Sequence, residues 1–250
     1  PLYRSDFPKP AVSFLIYPSY STTIWFIGQC IANTLNQNNL PNALKILPDF
    51  SIELKISGGS EMLVAGVDEV GRGTLAGPVV AAAAILPGPV PIEHESLVND
   101  SKVLSPATRD KAFSWLMKWC VSYGIGACSA AEIDSIGIVA STKQAMLRAI
   151  ADLEPQPEHL IIDALQLPAV PISQTSIVKA DSRSQSVAAA SIIAKVTRDK
   201  LMTAVFEQEY PGYGFASHKG YGTEIHMLAL KELGASPIHR KSFKPIRELL

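Results

Sequence analysis

Sulfur is scarce in this chain. Three cysteines, Cys30, Cys120 and Cys128, stand in 250 residues. They are too few for a disulfide framework, and their spacing matches no metal-binding pattern. Cys120 and Cys128 lie in apolar contexts and read as core residues, which fits a reducing compartment and a cytoplasmic location. Charge excess is lacking too. The net charge is −1, so there is no whole-protein basic signature for nucleic acid. No apolar run reaches the roughly 18 uninterrupted residues of a membrane span. Residues 14–31 come nearest, but Pro18, Ser19, Ser21, Thr22, Thr23 and Gln29 interrupt them. Internal repeats and low-complexity tracts are missing as well. What is present is apolar content of 47%, enough for a full core. Nothing reads as a dimer seam, so a monomer is expected.

The charge that does exist is unevenly spread. Residues 61–178 carry 7 Lys and Arg against 13 Asp and Glu, whereas residues 179–250 carry 11 against 7. An acidic half beside a basic half fits a metal site next to a phosphate-contacting surface. Residues 1–60 differ from both halves. They are rich in Pro, Ser, Asn and aromatics, hold only 7 charged residues, and end in Ser57-Gly58-Gly59-Ser60, a linker-like tetrapeptide. They are expected to form an N-terminal extension, loosely packed or partly disordered, with a small docking arm as its functional version. Residues 61–250 form the main domain, with a helical C-terminal part from about residue 200.

From Leu63 onward the pattern is regular. Residues 63–68 and 75–86 read as buried strands, with a proline-rich turn at 87–91. Ser105-Pro106 opens a helix, Ser as its cap and Pro at its first position. Residues 121–128 read as a third strand. Ser129 and Glu132 have capping-box spacing, and the helix they open breaks at Gly137 and resumes through 143–153. Residues 160–162 and 176–179 read as short strands, and 184–210 as one long helix rich in alanine. Thr223 caps a last helix that runs to Leu233 and stops at Gly234. Strands alternating with helices argue for an α/β domain.

Three strand-like runs end in acid: Val67-Asp68-Glu69, Ile162-Asp163 and Lys179-Ala180-Asp181. Strand ends gather at one edge of an open α/β sheet, so four carboxylates can converge there. Like charges that close cannot all ionise without cations. Mg²⁺ or Mn²⁺ suits such oxygen ligands, and two ions can serve phosphodiester hydrolysis. Gly71-Arg72-Gly73 follows the first acids at once, with backbone and guanidinium available to a phosphate or sugar. Lys179, Arg183, Lys195 and Arg198 flank or follow Asp181. Tyr210, Tyr213, Phe215, His218, Lys219 and Tyr221 crowd the segment PGYGFASHKGYGT. Lysines contact phosphates, and aromatic rings stack on bases or sugars.

These segments, VDEVGRGTLAGPVVAAAAIL, NDSKVLSP, KADSRSQSVAAASIIAKVTRD and HKGYGT followed by SPIHRKSF, stand in the order of the ribonuclease HII family, which the chain resembles from about residue 63 to residue 243. The resemblance implies a ribonuclease H-like α/β fold, a five-stranded mixed sheet flanked by helices with a helical C-terminal portion. It implies an endonuclease that hydrolyses the RNA strand of RNA–DNA hybrids and cuts 5′ of ribonucleotides embedded in duplex DNA. Asp68, Glu69, Asp163 and Asp181 would be catalytic and hold Mg²⁺ or Mn²⁺, two ions. Gly71, Arg72 and Gly73 would read the ribose 2′-hydroxyl, and Tyr221 would pack on the neighbouring deoxyribose. Ser101, Lys102, Lys179 and Ser182 would hold phosphates, and Asp199 would be a supporting acid. Two features depart from the family pattern: residues 1–60 are surplus, and Ala164 stands where glycine is expected after the third acid. A DNA-directed nuclease on the same fold, and a hybrid-binding module without catalysis, are the competing readings. The four acids argue against the second.

Overall fold

The computed structural model describes residues 47–249; what was expected of residues 1–46 lies outside them. Within the described residues, strands β1 (Val64–Val70), β2 (Val79–Ile85), β3 (Ser122–Cys128), β4 (His159–Asp163) and β5 (Ser173–Ile177) form one sheet in the order β3-β2-β1-β4-β5. β1 pairs antiparallel with β2, and β2 with β3. β4 lies parallel to β1 and to β5. The sheet is therefore mixed and five-stranded, as expected.

Strand β2, between β3 and the central β1, reads VVAAAAI and is buried along its whole length. Small side chains on both faces let helices close on the sheet. Val67, Ala81 and Ala83 meet Ala145, Met146 and Ala149 of α4 (Ile138–Ala151) and Ile133 of α3 (Ala130–Ile136). On the other face, Ala82 and Ala84 meet Ile192 and Ile193 of α5 (Gln185–Lys200) and Phe113 and Leu116 of α2 (Pro106–Trp119). Contact is closest at Gly66, where a Cβ would stand 2.1 Å from the backbone carbon of Ser186. Only glycine permits β1 and the start of α5 to approach so nearly.

Helix starts follow local chemistry. Ser105 accepts from Thr108 N–H ahead of Pro106, and Ser129 and Glu132 complete a capping box. Gly137, at φ 80°, separates α3 from α4. Several elements differ from expectation. β2 begins at Val79 rather than at 75, and α4 resumes directly after Gly137, at Ile138 rather than at 143. β5 lies at Ser173–Ile177 rather than 176–179. It is an edge strand with polar, partly exposed residues, so no apolar run marks it; Lys179 instead sits in a left-handed turn at φ 56°. The long helix also does not run unbroken to Tyr210, because its backbone widens into a π-helical stretch at Leu201–Phe206.

Residues 47–60, expected as the end of the extension, pack on this body. They carry helix α1 (Ser51–Ser57), whose Ile52 and Ile56 join Val64, Ile161 and Val187. Its Glu53 is buried and accepts from Ser184 Oγ at 2.6 Å and Ser186 N at 2.9 Å. A carboxylate thus sits on the amino end of α5, where it favours the helix. The C-terminal part has its own apolar cluster of Tyr213, Phe215, Leu230 and Ile246, to which the helix Glu224–Leu233, capped by Thr223, contributes. No helix among the described residues is long and apolar enough to cross a membrane.

Two buried histidines in this part, His226 and His239, bond to each other at 3.0 Å. Burial pulls the pKa of each down to about 4. Both stay neutral in the native state while the unfolded chain takes up protons near pH 6.5. Their contribution to stability is therefore complete above that value and is lost as pH falls toward 4. The loss is expected to reach on the order of 3 kcal/mol. Urea midpoints at pH 7 and pH 5 check this: the midpoint should fall, and fall less in His239→Gln.

Candidate active site

The parallel ladder between β1 and β4 ends with Val67 beside Ile162. The next residue on each strand is an acid, so Asp68 and Asp163 stand side by side toward the carboxyl ends of β1 and β4, Asp68 still paired with Ala82 of β2 and Asp163 with Ile177 of β5. Glu69 follows on the opposite face of β1. Asp181 arrives differently from the expectation of a strand end. It lies on a 3₁₀ turn, Ala180–Ser182, between β5 and α5. Asp163 Oδ1 accepts from Ala180 N at 2.9 Å, which ties that turn to the end of β4.

The electrostatics are those of carboxylates confined together. Burial pushes Asp68 well above the usual carboxylate range, and the charges of Glu69 and Asp163 push it further; Ser191 and the Glu69 amide oppose this. Glu69 is raised chiefly by burial, with Arg72 opposing. Asp181 is raised by burial despite its bond to Lys102. Burial works against the Lys102 ammonium, yet Asp181, 3.1 Å away, holds it above the ordinary lysine range. Among the described residues no three His, Cys, Asp or Glu side chains are gathered closely enough to make a finished metal cluster. The four acids nevertheless fit hard divalent cations. All donors are carboxylate oxygens, their charges couple, and Glu69 Oε2 is buried without a hydrogen-bond partner. Positive charge between them would offset both the burial and the repulsion that raise the pKa values of Asp68, Glu69 and Asp181.

The loop after β1 is built on two arginines. Arg240 donates from Nε and Nη2 to Gly77 O, from Nη1 to Arg72 O at 2.9 Å and from Nη2 to Gly71 O at 2.6 Å. Arg198 donates to Pro78 O, Ala76 O, Thr74 Oγ1 and, across the site, Lys219 O. Both side chains are fully buried, and neither guanidinium has a carboxylate partner among the ion pairs of the described residues. Burial pulls Arg198 down to about 10 and, with the Arg198 charge adding, Arg240 to about 9, so both remain charged at neutral pH. The carbonyls of the loop thus point inward to the arginines. Gly71 is needed here: its φ is 87°, and a Cβ would stand 2.2 Å from Arg198 Nε. Arg72 and Gly73 are exposed at the loop tip, and Arg72 reaches Glu69 at 3.4 Å.

The other expected residues divide. Lys102 lies beside Asp181, Lys179 is exposed at the turn before it, and Ser182 Oγ donates back to Lys179 O. Ser101 is buried with its hydroxyl on Ser191 at 2.9 Å, so it is turned inward rather than toward a phosphate. Tyr221 is 42% exposed, with Lys195 Nζ at 6.0 Å from its ring centroid. Asp199 forms an ion pair with that same Lys195 at 2.8 Å. Arg198, which the sequence grouped with basic residues near phosphate, is instead interior. Arg240 and Glu53 were missed as supports, since no local pattern distinguishes a buried charge from a surface one. Ala164 occupies a left-handed conformation, φ 52°, which accounts physically for glycine being expected there.

A mixed sheet of this order, with carboxylates toward the ends of the parallel neighbours β1 and β4, defines a nuclease of the ribonuclease H-like class. The profile of the family described as Ribonuclease HII matches residues 65–246. The chain is 44% identical over 208 residues to Ribonuclease HII of Dehalococcoides mccartyi (strain ATCC BAA-2100 / JCM 16839 / KCTC 5957 / BAV1), covering 83% of this chain and 98% of that protein. Among solved structures it is similar to ribonuclease H2 from Pyrococcus horikoshii OT3, with TM-score 0.61, 29% identity and coverage of 75% and 97% of the two chains. It is similar also to the RNase HII of a PCNA:RNase HII complex from Archaeoglobus fulgidus, with TM-score 0.61, 25% identity and coverage of 73% and 96%. The chain belongs to the ribonuclease HII family, endoribonucleases that act on RNA–DNA substrates.

Replacing Arg240 by Met would leave the Gly71, Arg72 and Gly77 carbonyls without their buried donor, and a loss of about 3 kcal/mol or more in urea unfolding is expected. Unchanged stability would contradict the arginine-built loop. Ala164→Gly should act in the other direction and raise stability by about 0.5–1 kcal/mol in the same measurement, by relieving the left-handed backbone.

Proposed function

We propose that this ribonuclease hydrolyses the RNA strand of RNA–DNA hybrids and also nicks duplex DNA on the 5′ side of single embedded ribonucleotides, with two Mg²⁺ or Mn²⁺ ions held by Asp68, Glu69, Asp163 and Asp181. The observation that carries the reading is the burial of Asp68 beside like charges at the end of β1, directly continuous with the Gly71-Arg72-Gly73 loop. When bound, the ions supply Lewis-acid chemistry, activating water and stabilising the departing 3′-oxygen.

The chain's own residues do the rest. The four carboxylates concentrate negative charge at one sheet edge. Lys102 and Lys179 lie around Asp181 and are available to the phosphates on either side of the cut; Ser182 lies in the same turn. With the Gly71 and Arg72 carbonyls engaged by Arg240, the Gly71–Gly73 loop is left with amides and one guanidinium for the substrate. The 2′-hydroxyl is the chemical mark that separates a ribonucleotide from its DNA surroundings, and this loop reads it. Tyr221 packs on the adjacent deoxyribose and completes the discrimination. Phosphate contacts supply affinity, which falls with salt.

A duplex containing one ribonucleotide, incubated with and without Mg²⁺ or Mn²⁺, tests the reading. The wild-type chain should nick it only with metal, and Asp68→Asn should lower the rate on the order of a hundredfold or more. Cutting of an all-DNA duplex at the same rate, or full activity of Asp68→Asn, would sink the assignment.

A further inference from the structure

Three buried histidines, His218, His226 and His239, meet behind the backbone of Tyr221, and nothing in the chemistry above uses them. His218 and His226 stack with centroids 4.3 Å apart, and Phe215 meets both edge-on. Every ring nitrogen has a partner, and those partners assign the tautomers. A carbonyl only accepts, so His226 Nδ1 donates to Tyr221 O at 2.9 Å. Its Nε2 must then accept, and His239 Nε2 donates to it across 3.0 Å. His239 Nδ1 accepts in turn from the Ser236 amide at 2.9 Å and the Ser236 hydroxyl at 2.8 Å. His218 donates from Nε2 to Tyr213 O at 2.8 Å and accepts from Gly220 N at Nδ1, 3.1 Å away.

The amide before Tyr221 and the carbonyl of Tyr221 itself therefore both end on imidazoles. A third bond, Leu75 N to Gly220 O at 2.8 Å, joins the same segment to the loop that follows Gly73. The Tyr221 ring is half exposed, so its aim depends on its backbone. We propose that His226, oriented by His239, is a positioning residue for Tyr221: the directed bonds from Ser236 through His239 and His226 to Tyr221 O hold the tyrosine at the ribose–deoxyribose step. This rests on the reading of Tyr221 as the residue that packs on deoxyribose.

Its consequence is a selectivity effect. A single ribonucleotide in DNA presents a deoxyribose beside the cut, whereas a continuous RNA strand presents another ribose. The quantity to measure is kcat/KM on the first duplex divided by kcat/KM on the second. His226→Leu, which removes the side-chain donor to Tyr221 O and leaves only the Thr223 amide on it, should lower this ratio about tenfold while kcat on the continuous hybrid stays within about threefold. His226→Asn, which can still donate from its amide, should restore most of the ratio. Tyr221→Ala should lower the ratio too, and adding His226→Leu to it should lower it no further, since both act through one contact. Should His226→Leu fail to give a native circular dichroism spectrum, His239→Leu serves, because it frees His226 to take the other tautomer.

The outcomes separate two failures. A Tyr221→Ala protein with the wild-type ratio overturns the reading of Tyr221, and the positioning proposal with it. A lowered ratio in Tyr221→Ala, beside a wild-type ratio in folded His226→Leu or His239→Leu, overturns the histidine relay alone. So does an additive double variant.

Discussion

Two buried guanidiniums hold the site together. Arg198 sits on α5 and Arg240 in the C-terminal part, yet apart from Arg198 Nη1, which reaches Lys219 O, both spend their donors on one short loop, residues 71–78. The arrangement carries a real cost. Two like charges are desolvated near each other, and backbone carbonyls rather than carboxylates satisfy them. It also fixes the loop's polarity: the Gly71 and Arg72 carbonyls turn inward to Arg240, while the Leu75 and Gly77 amides bond Gly220 O and Ile238 O. The same bonds connect the sheet to the C-terminal helical part, so loop shape and domain packing form one problem.

A second constraint acts on the acids. Parallel pairing of β1 and β4 brings Asp68 and Asp163 out at one end of the sheet, and Asp163 in turn holds the turn bearing Asp181. The protein offers these carboxylates few counter-charges: Lys102 on Asp181 and Arg72 near Glu69. Raised pKa values at Asp68, Glu69 and Asp181 express their burial first and the neighbouring carboxylate charges second. A fold that excludes water from such a group stores electrostatic repulsion that divalent cations can relieve, which links the packing of β1 on α5 to the chemistry.

Much of this was readable in the residues. Alternation of apolar runs with capped helices located four strands well, since Ser105-Pro106, the Ser129–Glu132 pair and Thr223 are local signals whose chemistry does not depend on the rest of the chain. β5 was displaced because an exposed edge strand needs no apolar residues. The π-helical stretch at Leu201–Phe206 was invisible because its side chains suit an ordinary helix equally well. The acids stood out as charges after apolar runs. Arg198 and Arg240 did not, because a buried charge is defined by distant carbonyls that sequence spacing cannot reveal. The same holds for Glu53, whose partners Ser184 and Ser186 lie more than a hundred residues away. Ala164 shows a local expectation explained by a backbone angle, φ 52°, whereas the inward bond of Ser101 to Ser191 has no local signal in the sequence.

The proposed function requires Asp68, Glu69, Asp163 and Asp181 to form a cation site beside the ends of β1 and β4. Direct titration of the intact chain with Mn²⁺, followed by the electron paramagnetic resonance signal of the free ion, tests it without reference to turnover. Wild-type protein should take up Mn²⁺, Asp68→Asn and Asp181→Asn should weaken that uptake at least about tenfold, and Tyr221→Ala should leave it intact. Equal Mn²⁺ affinity in wild type and both Asn variants would contradict the account.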